Sequence, residues 1–423
     1  MGTLIGSRKY YYGWVVAIVG TLGMMFSVNT FKIFSFGVFV NPLHETFGWS
    51  KGDIFYTVSI ISFVTVFTSF LSGYLIDKIG PRKLIFYSTL LVGMNIAGLY
   101  FINSNIWLFY GLFVLMTIIG CGTLPGVYSK EILVWFEKKK GMALSIVSSG
   151  ISIGAMIFPV LITVIITYSS WREAYLIIGV LVFLMAFILK RYIKYSPEYF
   201  NLGKDGVVLH DKHYSDASPI VKVKKAKKIG VRFSKAIRTI PFWLLGIIFF
   251  CVGLGNTGII VNLFPFMEYK GYSVPNVALI SFAFGFSLII GRYIGGYLFD
   301  RLNPYLVMSS FYVSAALALV IVIYVTQYSL VLVGIILIGV TLGSTIPAIM
   351  YFLNSLYGFR DFGKIQGFIF SIFQIGGIFG PFLIGYEENH FGTSQYSMIT
   401  FSILYVVSAA LLLYMPLKIK NGL

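Results

Sequence analysis

The sequence predicts an all-α membrane protein, with twelve transmembrane helices forming two pseudo-symmetric six-helix bundles. Three observations carry that prediction. Of 423 residues, 58% are hydrophobic and only 11% charged, where an ordinary soluble domain is about a quarter charged. The apolar residues fall in long continuous runs, not in the short alternating segments of a membrane barrel. The chain also repeats itself at an offset of 223 residues, from Gly73 to Gly296.

Each run is long enough to cross the hydrocarbon core as a helix. The spans fall near 12–40, 51–76, 83–102, 107–134, 141–167 and 172–190, then 240–267, 274–299, 304–326, 329–356, 363–386 and 395–416. Arg8 and Lys9 precede the first span, but no small-residue cleavage signature follows, so that span is expected to stay in the mature protein. A basic segment, 191–239, separates residues 1–190 from residues 240–423 and contains the run Lys222-Val223-Lys224-Lys225-Ala226-Lys227-Lys228. It reads as a solvated connector able to meet anionic lipid headgroups. Of the 32 Lys and Arg, only Lys51, Arg172 and Lys270 fall in loops on one side. Two, Lys32 and Arg292, lie deep inside spans, and the remainder lie on the other side or at its span ends. That bias predicts cytoplasmic termini in a multi-pass protein of the cell membrane. It also explains the formal charge of +17 without nucleic acid.

The two halves share landmarks. Gly73-Tyr74-Leu75-Ile76-Asp77-Lys78 closes the second span, and Gly296-Tyr297-Leu298-Phe299-Asp300-Arg301 closes the eighth. Gly48-Trp49-Ser50 falls on Gly271-Tyr272-Ser273 at the same offset. Internal duplication of this kind is the usual architecture of secondary transporters. The copies differ where charge appears: Arg292 corresponds to Ser69, and Lys32 corresponds to Gly255.

Those two cations are the candidate site. Arg292 stands eight residues before Asp300, roughly 12 Å inside the end of its helix. Lys32 stands nine residues before Asn41, roughly 13 Å from the other end of its span. A charge at such depth is costly unless it faces protein or water, so it reads first as functional. The alternatives are snorkelling side chains or an ion pair that only holds helices together. No deep carboxylate is evident, and Glu131, beside Lys130 near a helix end, reads as a local ion pair or an interfacial residue. Unbalanced positive charge calls for a small anionic cargo. Arg offers a planar fork matched to a carboxylate, while Lys32 is also the candidate proton carrier.

Weaker lining candidates are Tyr128 and Tyr351, on spans rich in small residues with a Pro, together with Asn29, Asn256 and Gln374. Packing or interhelical hydrogen bonding would explain these equally well. Gly73, Asp77 and Arg82, with Gly296, Asp300 and Arg301, read as gating and structural: glycines allow close helix approach, and the carboxylates can accept from a neighbouring helix N-terminus. No His/Cys cluster has ligand spacing, the four His (His44, His210, His213, His390) fall in predicted loops, and no phosphate-cradling motif occurs. No cofactor, metal or enzymatic activity is expected.

Several stretches carry a family resemblance. Gly73-x-Leu75-x-Asp77-Lys78-x-Gly80-Pro81-Arg82-Lys83 resembles the signature loop between helices 2 and 3 of the major facilitator superfamily, and Gly296 begins a degenerate second copy. Trp135-Phe136-Glu137-Lys138-Lys139-Lys140-Gly141-Met142-Ala143, followed by Ser149-Gly150, is similar to the segment entering helix 5 of monocarboxylate transporters and oxalate/formate antiporters. Tyr12-Gly13-Trp14 and Lys32 resemble the opening helix of the monocarboxylate transporters, and Arg292 matches the substrate-binding arginine of both groups. Two positions depart. Leu288 stands where eukaryotic monocarboxylate transporters carry an Asp. Phe370-Ser371-Ile372-Phe373-Gln374 stands where the antiporters carry a Lys. The resemblance implies the major facilitator fold, working as a monomer and moving a small monocarboxylate with a proton by alternating access. Anion exchange is the alternative, and a non-transporting sensor of the same fold a distant one.

Overall fold

The computed structural model describes residues 11–193, 196–200, 202–206, 230–391 and 393–419. Arg8, Lys9, His210, His213 and the Lys222–Lys228 run lie outside them. Twelve helices are long and apolar enough to cross a membrane. The first, α1, is built in pieces: Tyr12–Met25, a π-helical turn Thr30–Ser35, and Phe36–Phe47. Then come α2 (Lys51–Ile79), α3 (Pro81–Gly98), α4 (Ile106–Ile119 and Pro125–Trp135, joined by a 3₁₀ turn), α5 (Lys140–Tyr168) and α6 (Trp171–Tyr192). The second set is α7 (Ile240–Tyr269), α8 (Val274–Arg301), α9 (Pro304–Tyr324), α10 (Tyr328–Tyr357), α11 (Phe362–Phe391) and α12 (Gln395–Ile419).

Local sequence sets these boundaries. Ser50 caps α2 by accepting from the Asp53 amide at 3.0 Å, and Ser170 caps α6 through the Glu173 amide at 3.3 Å. Pro81 and Pro304 occupy first-turn positions where no amide is required. Gly80, at φ +84, makes the tight corner between α2 and α3. Large apolar side chains such as Phe63, Phe282 and Leu317 remain exposed on the outside, as a lipid-facing surface requires.

Packing follows the repeat. In the first set α1 packs on α5, α2 on α4 and α3 on α6; in the second α7 packs on α11, α8 on α10 and α9 on α12. The sets meet through α2 against α11 and α5 against α8. Those contacts are close because glycines line them. A Cβ on Gly73 would strike the Gly363 carbonyl, and one on Gly141 the Gly296 carbonyl. Both contacts lie near the ends that carry most of the Lys and Arg, called here the basic end.

Three expectations need correction. The first span is not one regular helix to about residue 40: its α-helix stops at Met25, the backbone widens into a π turn, and helix continues to Phe47. The break is tolerated because the Val28 amide donates to Thr123 Oγ1 at 3.1 Å, from the matching break in α4. His44 and His390 lie in the last turns of helices, not in loops. Glu131 does not pair with Lys130. It accepts from Arg82 Nε at 3.0 Å, while Lys130 bonds the Asp77 carboxylate. Adjacent helical residues point about 100° apart, so each takes a different partner.

Candidate functional site

Lys32 sits in the π turn of α1 with 3% of its surface exposed. That turn forms where α1 backs against glycines of α5: a Cβ on Gly150 would strike the Thr21 carbonyl, and one on Gly154 the Met25 carbonyl. The Lys32 ammonium donates to Thr65 Oγ1 of α2 at 2.5 Å. Arg292, 7% exposed, reaches from α8 to α5, where Nη1 donates to the Ser148 carbonyl. Its Nε is buried without a partner. Beside it the Tyr293 and Ser149 hydroxyls hydrogen-bond at 3.2 Å. Among the described residues the ion pairs are Arg82–Glu131, Lys130–Asp77 and Lys204–Glu137. Neither Lys32 nor Arg292 has an acidic partner there. Both are held by neutral oxygens, which orient a positive charge without cancelling it.

The weaker candidates are dispersed. Asn29 is buried one turn before Lys32, and its Oδ1 has no partner. Tyr128 is buried against Gly20 and Gly23 of α1, and its hydroxyl has no hydrogen-bond partner among the described residues. Asn256 Oδ1 accepts from the Tyr405 hydroxyl at 2.6 Å, which ties α7 to α12. Tyr351 donates to the Phe299 carbonyl at 2.8 Å, and its ring lies 4.2 Å from the Lys140 ammonium. That places Tyr351 at the basic end, away from Arg292. Gln374 is half-buried on α11.

The gating candidates form two related contacts. The Asp300 carboxylate accepts from the Gly141 and Met142 amides at 2.7 and 2.9 Å, the first turn of α5. The Asp77 carboxylate accepts from the Gly363 and Lys364 amides at 3.3 and 3.0 Å, the first turn of α11. Each acid of one set therefore meets the positive end of a helix dipole in the other. Asp77 also holds Lys130, and Arg82 stands beyond it on Glu131. Arg301 does not join this contact; it lies over the Tyr297 ring at 4.2 Å.

Sequence reasoning missed Thr65, Ser148 and the π turn. Ser148 contributes a main-chain carbonyl, which no residue type announces. Thr65 differs little in sequence from any threonine in an apolar span.

Twelve spans in two similarly packed sets, shut against each other at one end and holding uncancelled charge within, define a helical membrane transporter. The chain belongs to the Major Facilitator Superfamily, whose family model matches residues 20–381 and again 245–421. It is 23% identical over 274 residues to the oxalate:formate antiporter of Oxalobacter formigenes, covering 63% of this chain and 57% of that protein. It is 25% identical over 172 residues to monocarboxylate transporter 9 of Mus musculus, covering 40% of this chain and 33% of that one. Among solved structures it is similar to the superfamily transporter FucP in the outward conformation. That match has a TM-score of 0.71 and 16% identity, and covers 96% of this chain and 99% of the other.

Proposed function

We propose that this transporter carries small monocarboxylates, of the size of lactate or pyruvate, together with a proton. The observation that carries the reading is the pair of buried cations, Lys32 and Arg292, with no carboxylate partner among the described residues. A cation at mid-membrane costs about 2.5–3.5 kcal/mol on insertion scales, and a bound carboxylate would offset that cost. Arg292 supplies the bidentate fork, and Lys32 supplies the second charge and the candidate proton site. The names of the antiporter and monocarboxylate transporter relatives support organic anions as the cargo class.

The hydrogen bonds between the two sets named above run from Arg292 and Ser148 to the basic end. With the basic end in the cytoplasm, this is the outward-facing arrangement of a carrier in the cell membrane. The anion would displace the Ser148 carbonyl from Arg292, weaken the α5–α8 contact, and let the sets rock about the site.

Uptake of labelled short carboxylates, wild type against Arg292→Lys, tests this reading. Lys keeps the charge but loses the fork, so KM is expected to rise about tenfold or more. Undiminished uptake by the variant would remove Arg292 from the site. The relation to an oxalate:formate antiporter favours exchange as the second reading. Counterflow without a pH gradient would support exchange, whereas uptake driven by an inward proton gradient supports symport.

A further inference from the structure

Thr65 is fully buried on α2, 1% exposed. Its Oγ1 lies 2.6 Å from the Ile61 carbonyl and 2.5 Å from Lys32 Nζ. A hydroxyl has one proton and two acceptor sites. The Ile61 carbonyl can only accept, so the proton goes there and a lone pair is left for Lys32. Thr65 is thereby fixed as an acceptor for the ammonium. One peptide further on, the Ser371 hydroxyl of α11 lies 2.7 Å from the Val66 carbonyl and 2.9 Å from the Gly367 carbonyl of its own helix, and shares its one proton between them. At the repeat offset of 223, Ser371 corresponds to Ser148, whose carbonyl holds Arg292. Both buried cations are therefore anchored at corresponding levels of the two interfaces between the helix sets. Lys32 is anchored one residue from the α2–α11 hydrogen bond, and Arg292 directly across α5–α8.

We propose that Thr65 is the positioning residue for Lys32. It holds the ammonium on α2, one residue from the α2–α11 contact. The consequence for cargo rests on the proposed carboxylate function: fixing the ammonium lowers the KM for the anion without taking part in the movement of the helix sets. A mid-helix threonine bonded only to its own preceding turn would have neither effect.

The experiment is a double-mutant cycle that needs no substrate, followed by transport. Thr65→Val keeps shape and removes the acceptor; Thr65→Ser restores it. In purified full-length protein, Thr65→Val is expected to lower the thermal midpoint by about 2–4 °C. In a Lys32→Met background the same substitution is expected to shift it by less than about 1 °C, because no ammonium is left unpaired. In proteoliposomes, Thr65→Val is expected to raise the KM for labelled lactate about tenfold, the factor for losing one hydrogen bond to a charged group, with maximal rate within about twofold. Thr65→Ser is expected to recover the wild-type KM. Equal midpoint shifts in both backgrounds, or an unchanged lactate KM in a well-folded Thr65→Val, would overturn the assignment. A coupled cycle in a protein that takes up no carboxylate would support the positioning role while refuting the cargo.

Discussion

Replacing Asp300 by Asn should open the basic end. The carboxylate accepts two amides from the first turn of α5, at 2.7 and 2.9 Å. Asn offers one carbonyl oxygen and turns an NH2 group towards the second amide, so one hydrogen bond is lost and a donor faces a donor. The lost charge also removes its interaction with the helix dipole. Capping substitutions of this kind cost about 0.5–2 kcal/mol, and charge-assisted hydrogen bonds about 1.5–3. A value near 2 kcal/mol moves the ratio of shut to open molecules roughly thirtyfold. A reporter is available at Ser145, which is fully buried on α5 where a Cβ on Gly296 of α8 would strike its hydroxyl. With Cys121 and Cys251 replaced by Ala, Ser145→Cys should react slowly with an impermeant maleimide applied to the basic face. Adding Asp300→Asn should speed that labelling about tenfold or more. With no carboxylate added, a correctly inserted double variant that labels no faster than Ser145→Cys alone would refute the latch.

The other expectations concern the same end. Gly73→Val places a branched side chain against the Gly363 carbonyl; α2 and α11 then cannot close, and labelled-substrate uptake should fall more than tenfold at normal expression. Glu131→Gln leaves Arg82, 34% exposed, able to reach water, so the thermal midpoint should drop only modestly, for a cost of about 1–2 kcal/mol. Asp77→Asn should cost more in the same melt, since it removes the carboxylate that Lys130 bonds at 11% side-chain exposure and uncaps α11 together. A larger loss for Glu131→Gln would reverse that ranking and place the principal charge pair on Arg82.

The fold was legible because membrane crossing imposes length and polarity on every span, and because the duplication left paired landmarks. Asp77 and Asp300 were recognisable for the same reason: a small residue, four steps, then an acid is a short pattern whose partner, a helix N-terminus, is supplied by backbone. Partner choice was less legible. The pairing of Glu131 with Arg82 depends on α3 packing beside α4, although helical geometry alone argues against Glu131 with Lys130. The π turn packs against α5, where a Cβ on Gly154 would strike the Thr30 side chain, a contact between segments more than a hundred residues apart. Tyr351 was legible as a tyrosine, but nothing local says that its hydroxyl bonds the Phe299 carbonyl.

The broken symmetry between the halves can be followed atom by atom. The repeat maps Lys32 onto Gly255, and a Cβ at Gly255 would stand 3.3 Å from the Tyr405 ring. Tyr405 fills the level that the lysine occupies in the first set, and its hydroxyl is taken by Asn256. Asn256 thus makes the interhelical hydrogen bond that the sequence reading had set beside a ligand role. Arg292 maps in turn onto Ser69, fully buried, whose hydroxyl bonds back to the Thr65 carbonyl at 2.8 Å. At the position of each cation the other half therefore carries a neutral residue, Gly255 backed by Tyr405 and Ser69 bonded within its own helix. Two identical halves would offer matching charges about the pseudo-axis and no preferred direction for an asymmetric anion. On the proposed function, a single Arg on one side and a single Lys on the other would supply that direction, the guanidinium fork taking a carboxylate and the ammonium giving a second, chemically different point of attachment.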